Sequence, residues 1–321
     1  MDTAGLTIAP LEGYRRLLDA FLAQLDVSAS SRATYAMGLR QFFVWCQNRA
    51  IINPTRETVI AYKESLDARG LRPYTRAAYL VAVRRFFEWV ESTGLYPNIA
   101  KGVKGPKKYL KVHQRHALTI EQCKLLLSRL ESQKSSLQGA RDYALINILI
   151  RTGLRLIEIT RANIQDLDFA GDTDDGVLLW VRGKGRAGKD DSVLVTGSAL
   201  TALQTYIKLR EPKSSQEPLF ASLSPRNYGQ RLTVFTFSRL IKKYLKSIGI
   251  DSRRISAHSL RHTFGVLSIQ AGASLYEVQL AMRHTAPTTT EIYLGDIERS
   301  KRLEAAPEKM LKKLLREKGL E

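Results

Sequence analysis

One internal echo constrains this chain more than any other feature. Arg32, Ala33, Tyr35, Arg40, Phe42, Phe43 and Trp45 recur forty-four positions later as Arg76, Ala77, Tyr79, Arg84, Phe86, Phe87 and Trp89. A repeated cluster of aromatics at i, i+7, i+8 and i+10 suits one face of a helix, not a strand. Helical periodicity also covers Leu11 to Leu25 and Thr55 to about Ala68. The two repeated stretches run from Ser31 to Arg49 and from Tyr74 to Thr93, with Pro73 at the start of the latter and Gly94 at its end. The pattern predicts two similar helix-hairpin units. Their aromatics fill a small bundle core, which leaves the arginines on the opposite face.

Charge sets the class of partner. The 321 residues hold 50 Lys and Arg against 31 Asp and Glu, a net charge of +19. The excess is present both before and after residue 112, so it is not the property of a tail. Such a balance points to a polyanion, either nucleic acid or an anionic membrane surface. A composition of 44% hydrophobic residues argues against general disorder. No run of about 18 apolar residues exists, which argues against a membrane span. Met1 to Pro10 carries no Lys or Arg, unlike a signal peptide. Cys46 and Cys123 lie far apart, so neither a disulfide framework nor a cysteine zinc site is expected, and a reducing cytoplasm fits. No acidic residue occurs between Glu91 and Glu121. That window, with Lys101, Lys104, Lys107, Lys108, Lys111 and Arg115 beside Gly102, Gly105 and Pro106, reads as a basic linker. The expected division is a helical domain over 1–100, the linker over 101–117 and a second domain over 118–321. The linker either is a solvated connector or crosses a phosphate backbone.

The second domain opens on Thr119 and Gln122 at capping-box spacing. Helices are expected over about 141–151, 198–209, 233–248, 257–271 and 274–282. Strand-like runs fall at Ile164–Phe169, Val177–Val181 and Val193–Val195. The fold class is therefore mainly α with one small antiparallel sheet near 163–196. The tail from Ile297 to Leu320 is basic and amphipathic, and suits either its own domain or a neighbouring protomer.

Four local patterns carry chemistry. His258, Arg261 and His262 stand at i, i+3 and i+4, so two imidazoles and a guanidinium share a helix face. A zinc helix of the His-Glu-x-x-His kind needs a glutamate that is missing, and no metal is expected. The run Thr152-Gly153-Leu154-Arg155-Leu156-Ile157-Glu158 ends one helix on glycine and opens another on Arg155, where anions are favoured. Gly183, Gly188 and Lys189 have P-loop spacing, but Asp190 follows in place of Ser or Thr and a strand in place of a helix, which excludes nucleotide binding. Lys184 instead sits at a glycine-flanked hairpin tip able to reach into a site. Last come His284 and, nine residues later, Tyr293.

Taken in order, these patterns resemble the tyrosine recombinase family, also called phage-type integrases and Xer-like recombinases. The Thr-Gly-Leu-Arg-x-x-Glu run, the hairpin lysine, His-x-x-Arg-His and the final His and Tyr each have their counterpart. Two positions depart from the pattern: Ile157 replaces a small polar residue, and Met282-Arg283 precedes His284 where Leu-Gly is usual. The resemblance implies a SAM-like helical DNA-binding domain and a catalytic domain that close around DNA as a C-shaped clamp. It implies that Tyr293 attacks the scissile phosphate to give a 3′-phosphotyrosyl link, with no metal, ATP or other cofactor. Arg155 and Arg261 would then stabilise the non-bridging oxygens, His258 accept the tyrosine proton, Lys184 protonate the leaving 5′-oxygen and His284 bond the phosphate. Glu158 and His262 would support them. Arg32, Arg40, Arg76, Arg84, Lys104, Lys107 and Lys108 are candidates for contact with the DNA backbone. The implied partner is duplex DNA with paired inverted half-sites. Four copies of the chain would meet in the synapse and pass through a Holliday junction, with a monomer or dimer off DNA. The chain would be cytoplasmic and nucleoid-associated when bound. Two alternatives stand beside this reading: a type IB topoisomerase, which uses similar chemistry, and a DNA-binding protein without catalysis.

Overall fold

A computed structural model describes residues 11–106, 116–169, 176–183, 188–252, 254–284, 290–291, 293 and 307–317. The chain divides into two compact bodies, Met1–Leu110 and Lys111–Glu321.

In the first body, α1 (Leu11–Gln24), α2 (Ala29–Gln47), α3 (Arg56–Ala68) and α4 (Pro73–Ser92) form a helical bundle. Ser28 caps α2 by accepting the Ser31 N–H, which starts that helix two residues earlier than expected. Pro73 opens α4, where its missing N–H has no intrahelical partner to lose. The repeat proves to be the core. Phe42, Phe43, Phe86 and Phe87 are buried, with successive ring centroids 5.3 to 6.0 Å apart and edge-on. The backbones of α2 and α4 come close where Gly38 faces Ala82: a Cβ at 38 would lie 2.8 Å from the Ala82 Cβ.

The repeated arginines do not stand equally free. Arg40 and Arg84 are exposed. Arg32 donates to the Leu25 carbonyl at 3.1 Å. Arg76 is ion-paired with Asp67, because the end of α3 and the start of α4 bring opposite charges together. The stretch expected to be linker begins as part of this body. Ala100 and Val103 are buried in its core, and Arg56 donates to the Lys101 carbonyl. Lys104 is exposed; Lys107 and Lys108 lie outside the described residues.

The second body contains α5 (Ile120–Glu131), α6 (Leu137–Thr152), α7 (Leu156–Arg161), β1 (Leu167–Asp168), β2 (Gly176–Val181), β3 (Asp191–Thr196), α8 (Gly197–Arg210), α9 (Val234–Ser247), α10 (Ala257–Gln270), α11 (Leu275–Met282) and α12 (Pro307–Glu317). Thr119 and Gln122 form the expected capping box. Helix α6 starts four residues before its apolar run, where Ser136 accepts the Gly139 N–H at 3.0 Å. It is apolar on nearly every side and buried from Ala144 to Ile150, as befits a central helix. The sheet is antiparallel in the order β1-β2-β3, with Leu179 opposite Val193 and Val177 opposite Val195. These four side chains are buried, whereas Trp180 and Leu194 face outward.

The strand expected over Ile164–Phe169 shrinks to two residues. A 3₁₀ turn takes Ile164–Asp166, because the Asp166 carboxylate folds back to accept the Asn163 N–H at 2.6 Å. Among the described residues, no helix is long and apolar enough to cross a membrane.

Candidate active site

The site starts at the end of α6. Gly153 takes φ +60° and ends the helix in the left-handed conformation. A Cβ there would also lie 2.5 Å from the Phe264 ring. The reversal makes Arg155 the N-cap of α7. Its backbone N–H and Nη1 donate to the Glu158 carboxylate at 2.9 and 2.8 Å, and its Nη2 donates to the Arg283 carbonyl at 3.1 Å. Glu158 is fully buried. Burial alone would raise its pKa, but the Arg283 charge and the hydrogen bonds from Arg155 and Arg283 outweigh it and hold the carboxyl below its usual range.

Arg261 projects from α10 and is also buried. Its Nη1 donates to the Gly153 carbonyl and its Nη2 to the Met282 carbonyl. Burial, and then the Arg155 charge, lower its pKa to about 10, which leaves it cationic at neutral pH. Two carbonyls thus hold its fork without cancelling its charge.

Tyr293 is 4% exposed and lies against α10. Its ring centroid is 4.8 Å from that of His262 and 6.1 Å from that of His284. Gly265, three residues after His262, leaves the gap that the tyrosine ring fills: a Cβ there would lie 2.6 Å from its Cε2. His284 Nδ1 is 2.9 Å from the Thr290 hydroxyl, and the His284 N–H donates to the Gln279 carbonyl. Burial, followed by the charges of Arg261, Arg155, His258 and Arg283, drives the His284 pKa down to about 4. The ring is neutral at pH 7. If Thr290 donates to Nδ1, the ring's one proton is on Nε2.

Arg155, Glu158, Arg261, His262, His284 and Tyr293 are therefore brought together, although 138 positions separate the first from the last. His258 stands one turn before Arg261 and is exposed. Lys184 lies outside the described residues; just before it, the Gly183 carbonyl accepts from Arg161 at 3.3 Å. Lys189, the next lysine along the hairpin, is ion-paired with Asp166. Among the described residues, no group of three or more His, Cys, Asp or Glu could hold a metal ion. Three participants escaped motif reading. Arg283 is an ion-pair partner of Glu158 at 2.7 Å, Thr290 fixes the His284 ring, and Gly265 admits the tyrosine. Gly265 left a trace in the sequence as a glycine in an otherwise sound helix, and Arg283 as a departure from the family pattern.

The sequence pattern of the phage integrase family matches residues 116–298, and that of its N-terminal SAM-like domain matches residues 15–94. The chain belongs to the phage integrase family. Among curated relatives of this integrase is a tyrosine recombinase XerC of Roseiflexus castenholzii, 30% identical over 290 residues, covering 86% of this chain and 87% of that one. Another XerC, from Herpetosiphon aurantiacus, is 31% identical over 177 residues, and the integrase spans 55% of its length. The fold is similar to that of the XerH site-specific recombinase in a post-cleavage complex with palindromic difH substrate. That likeness has a TM-score of 0.73 at 21% identity and covers 91% of this chain and 84% of that one.

Proposed function

We propose that this integrase is a site-specific recombinase that cuts and rejoins DNA through a 3′-phosphotyrosyl intermediate. One observation carries the reading. A nearly buried tyrosine, two imidazoles and the guanidinium-bearing end of α10 share one small volume. Transfer of a phosphoryl group to a hydroxyl needs charge stabilisation on the non-bridging oxygens and a route for two protons. Arg155 and Arg261 supply the charge, each held through backbone carbonyls. Neutral His284 donates from Nε2 to the phosphate. His258 takes the Tyr293 proton, and Lys184 gives one to the leaving 5′-oxygen, so that bond energy is kept in the phosphotyrosine for rejoining. Glu158 fixes Arg155, and His262 packs on the tyrosine ring.

The reading extends to the partner. Duplex DNA with paired inverted half-sites suits a protein whose structural neighbour XerH is bound to a palindromic substrate. The first body grips the duplex through Arg40, Arg84 and Lys104, and the second carries out cleavage, with four copies meeting in the synapse. The net charge of +19 supports a backbone-dominated, salt-sensitive affinity.

A suicide substrate carrying a nick beside the cleavage position tests the chemistry. Wild type should accumulate a covalent adduct that mass spectrometry places on Tyr293. Tyr293→Phe should form none while binding DNA almost as tightly, since no charge is lost. A persistent adduct in that variant would overturn the assignment.

A further inference from the structure

Arg283 occupies a position that costs a side chain something. It caps the C-terminus of α11 at φ +54°, ψ +49°, a conformation that glycine adopts freely and other residues avoid. Yet its side chain is only 8% exposed, and it reaches the fully buried Glu158, with Nη2 2.7 Å from Oε2. Its Nη1 donates to the Ala281 carbonyl at 2.8 Å, and its own carbonyl accepts from Arg155 Nη2. The Glu158 carboxylate is thereby divided. Oε1 goes to the Arg155 guanidinium, and Oε2 goes to the Arg155 backbone and to Arg283.

This division changes what Arg155 can offer. A single carboxylate facing a single guanidinium cancels its charge. A carboxylate shared by two guanidinia leaves the group with a net charge of +1. Arg155 makes only one bond to Glu158 from its fork, and spends Nη2 on a neutral carbonyl.

Resting on the recombinase reading, we propose that Arg283 is a positioning residue that neutralises Glu158, so that Arg155 keeps its positive charge for the scissile phosphate. It acts through Glu158 and the cap of α11, not by touching the reacting atoms. The same residue stands directly before His284, so the strained cap also sets where that ring begins.

Two variants separate charge from backbone strain. Arg283→Gly removes the charge and relieves the left-handed conformation, which offsets part of the cost of leaving the buried Glu158 with Arg155 as its ion-pair partner. Arg283→Met removes the charge and keeps the strain. Single-turnover adduct formation is measured for each on a suicide substrate with an ordinary scissile phosphodiester, and on one with a methylphosphonate there, which has no non-bridging charge. Both variants should lose about tenfold on the phosphodiester, the scale of coupling between groups in one ion-pair network. On the methylphosphonate the loss should shrink to within about twofold. An equal loss on both substrates, or none on either, overturns the inference. A readout independent of cleavage is the His284 titration followed by NMR in the free protein. Its midpoint should rise in Arg283→Gly, because a nearby cation is gone and Glu158 is less neutralised. An unchanged midpoint overturns the inference whether or not the wild type cleaves DNA. Absence of any adduct from the wild type, with the midpoint shifted, would instead overturn the recombinase reading alone.

Discussion

Gly265→Ala should leave the protein folded and take away most of its chemistry. The added methyl would start 2.6 Å from Tyr293 Cε2, 2.8 Å from Cδ2 and 3.0 Å from Cζ. Carbon atoms settle at roughly 3.5–4.0 Å, so the ring must retreat by about 1 Å. Two stability effects oppose each other. Alanine in a helix interior is favoured over glycine by roughly 1 kcal/mol, and crowding a packed site costs roughly 1–3 kcal/mol. The net loss is about 0–2 kcal/mol, a few degrees of melting temperature in a body of this size. Catalysis responds more steeply, since a misplacement of about 1 Å can cost on the order of a hundredfold in rate. Thermal melting and single-turnover adduct formation on the same preparations separate the two effects. A variant that melts within a few degrees of wild type and forms adduct within about threefold of its rate would refute the claim that the Gly265 gap seats Tyr293 for the proposed attack.

Other outcomes follow from the recombinase reading and from the site. Lys184→Ala should slow cleavage of ordinary DNA by about 10²–10⁴-fold, the scale of general-acid catalysis. A 5′-bridging sulfur, which leaves without a proton, should restore most of that rate while doing nothing for Arg261→Ala; equal rescue of both would strip Lys184 of the acid role. His284 is held neutral to about pH 4 in the fold, against an ordinary value of 6.5. Between these values the unfolded chain binds a proton that the folded chain refuses, so stability is full above 6.5 and falls as pH drops towards 4. Urea midpoints at pH 7.5 and 5.0 should therefore differ more in wild type than in His284→Gln, and identical differences would count against a buried neutral ring.

The sequence made most helices legible because their faces repeat at 3.6 residues and their ends carry caps such as Thr119 and Gly153. Failures came where a side chain overrode the period. Asp166 turned an alternating run into a 3₁₀ turn, and Ser136 began α6 well before its apolar stretch. In the site, residues that sit in recognisable spacing, such as Arg261 and His262, were legible. Arg283 was visible only as a departure from a pattern. Its partner Glu158 lies 125 positions away, and no local rule predicts a contact of that range. The fate of Arg76 was hidden for the same reason: exposure was inferred from its own helix, while Asp67 comes from the preceding one.

Helix ends present carbonyl groups, and here they are used as sockets for cations. Gly153, Met282 and Arg283 each turn a peptide oxygen towards an active-site guanidinium. A dipole orients a cation but leaves its monopole intact, so Arg155, Arg261 and Arg283 crowd together with one carboxylate among them. The folded state therefore holds electrostatic tension before any substrate arrives: the pKa of Arg261 is lowered first by burial and then by the Arg155 charge. An incoming phosphodiester relaxes that tension. Whatever binds this centre with a negative charge also tightens the fold around it, so resistance to unfolding and occupancy of the site rise together.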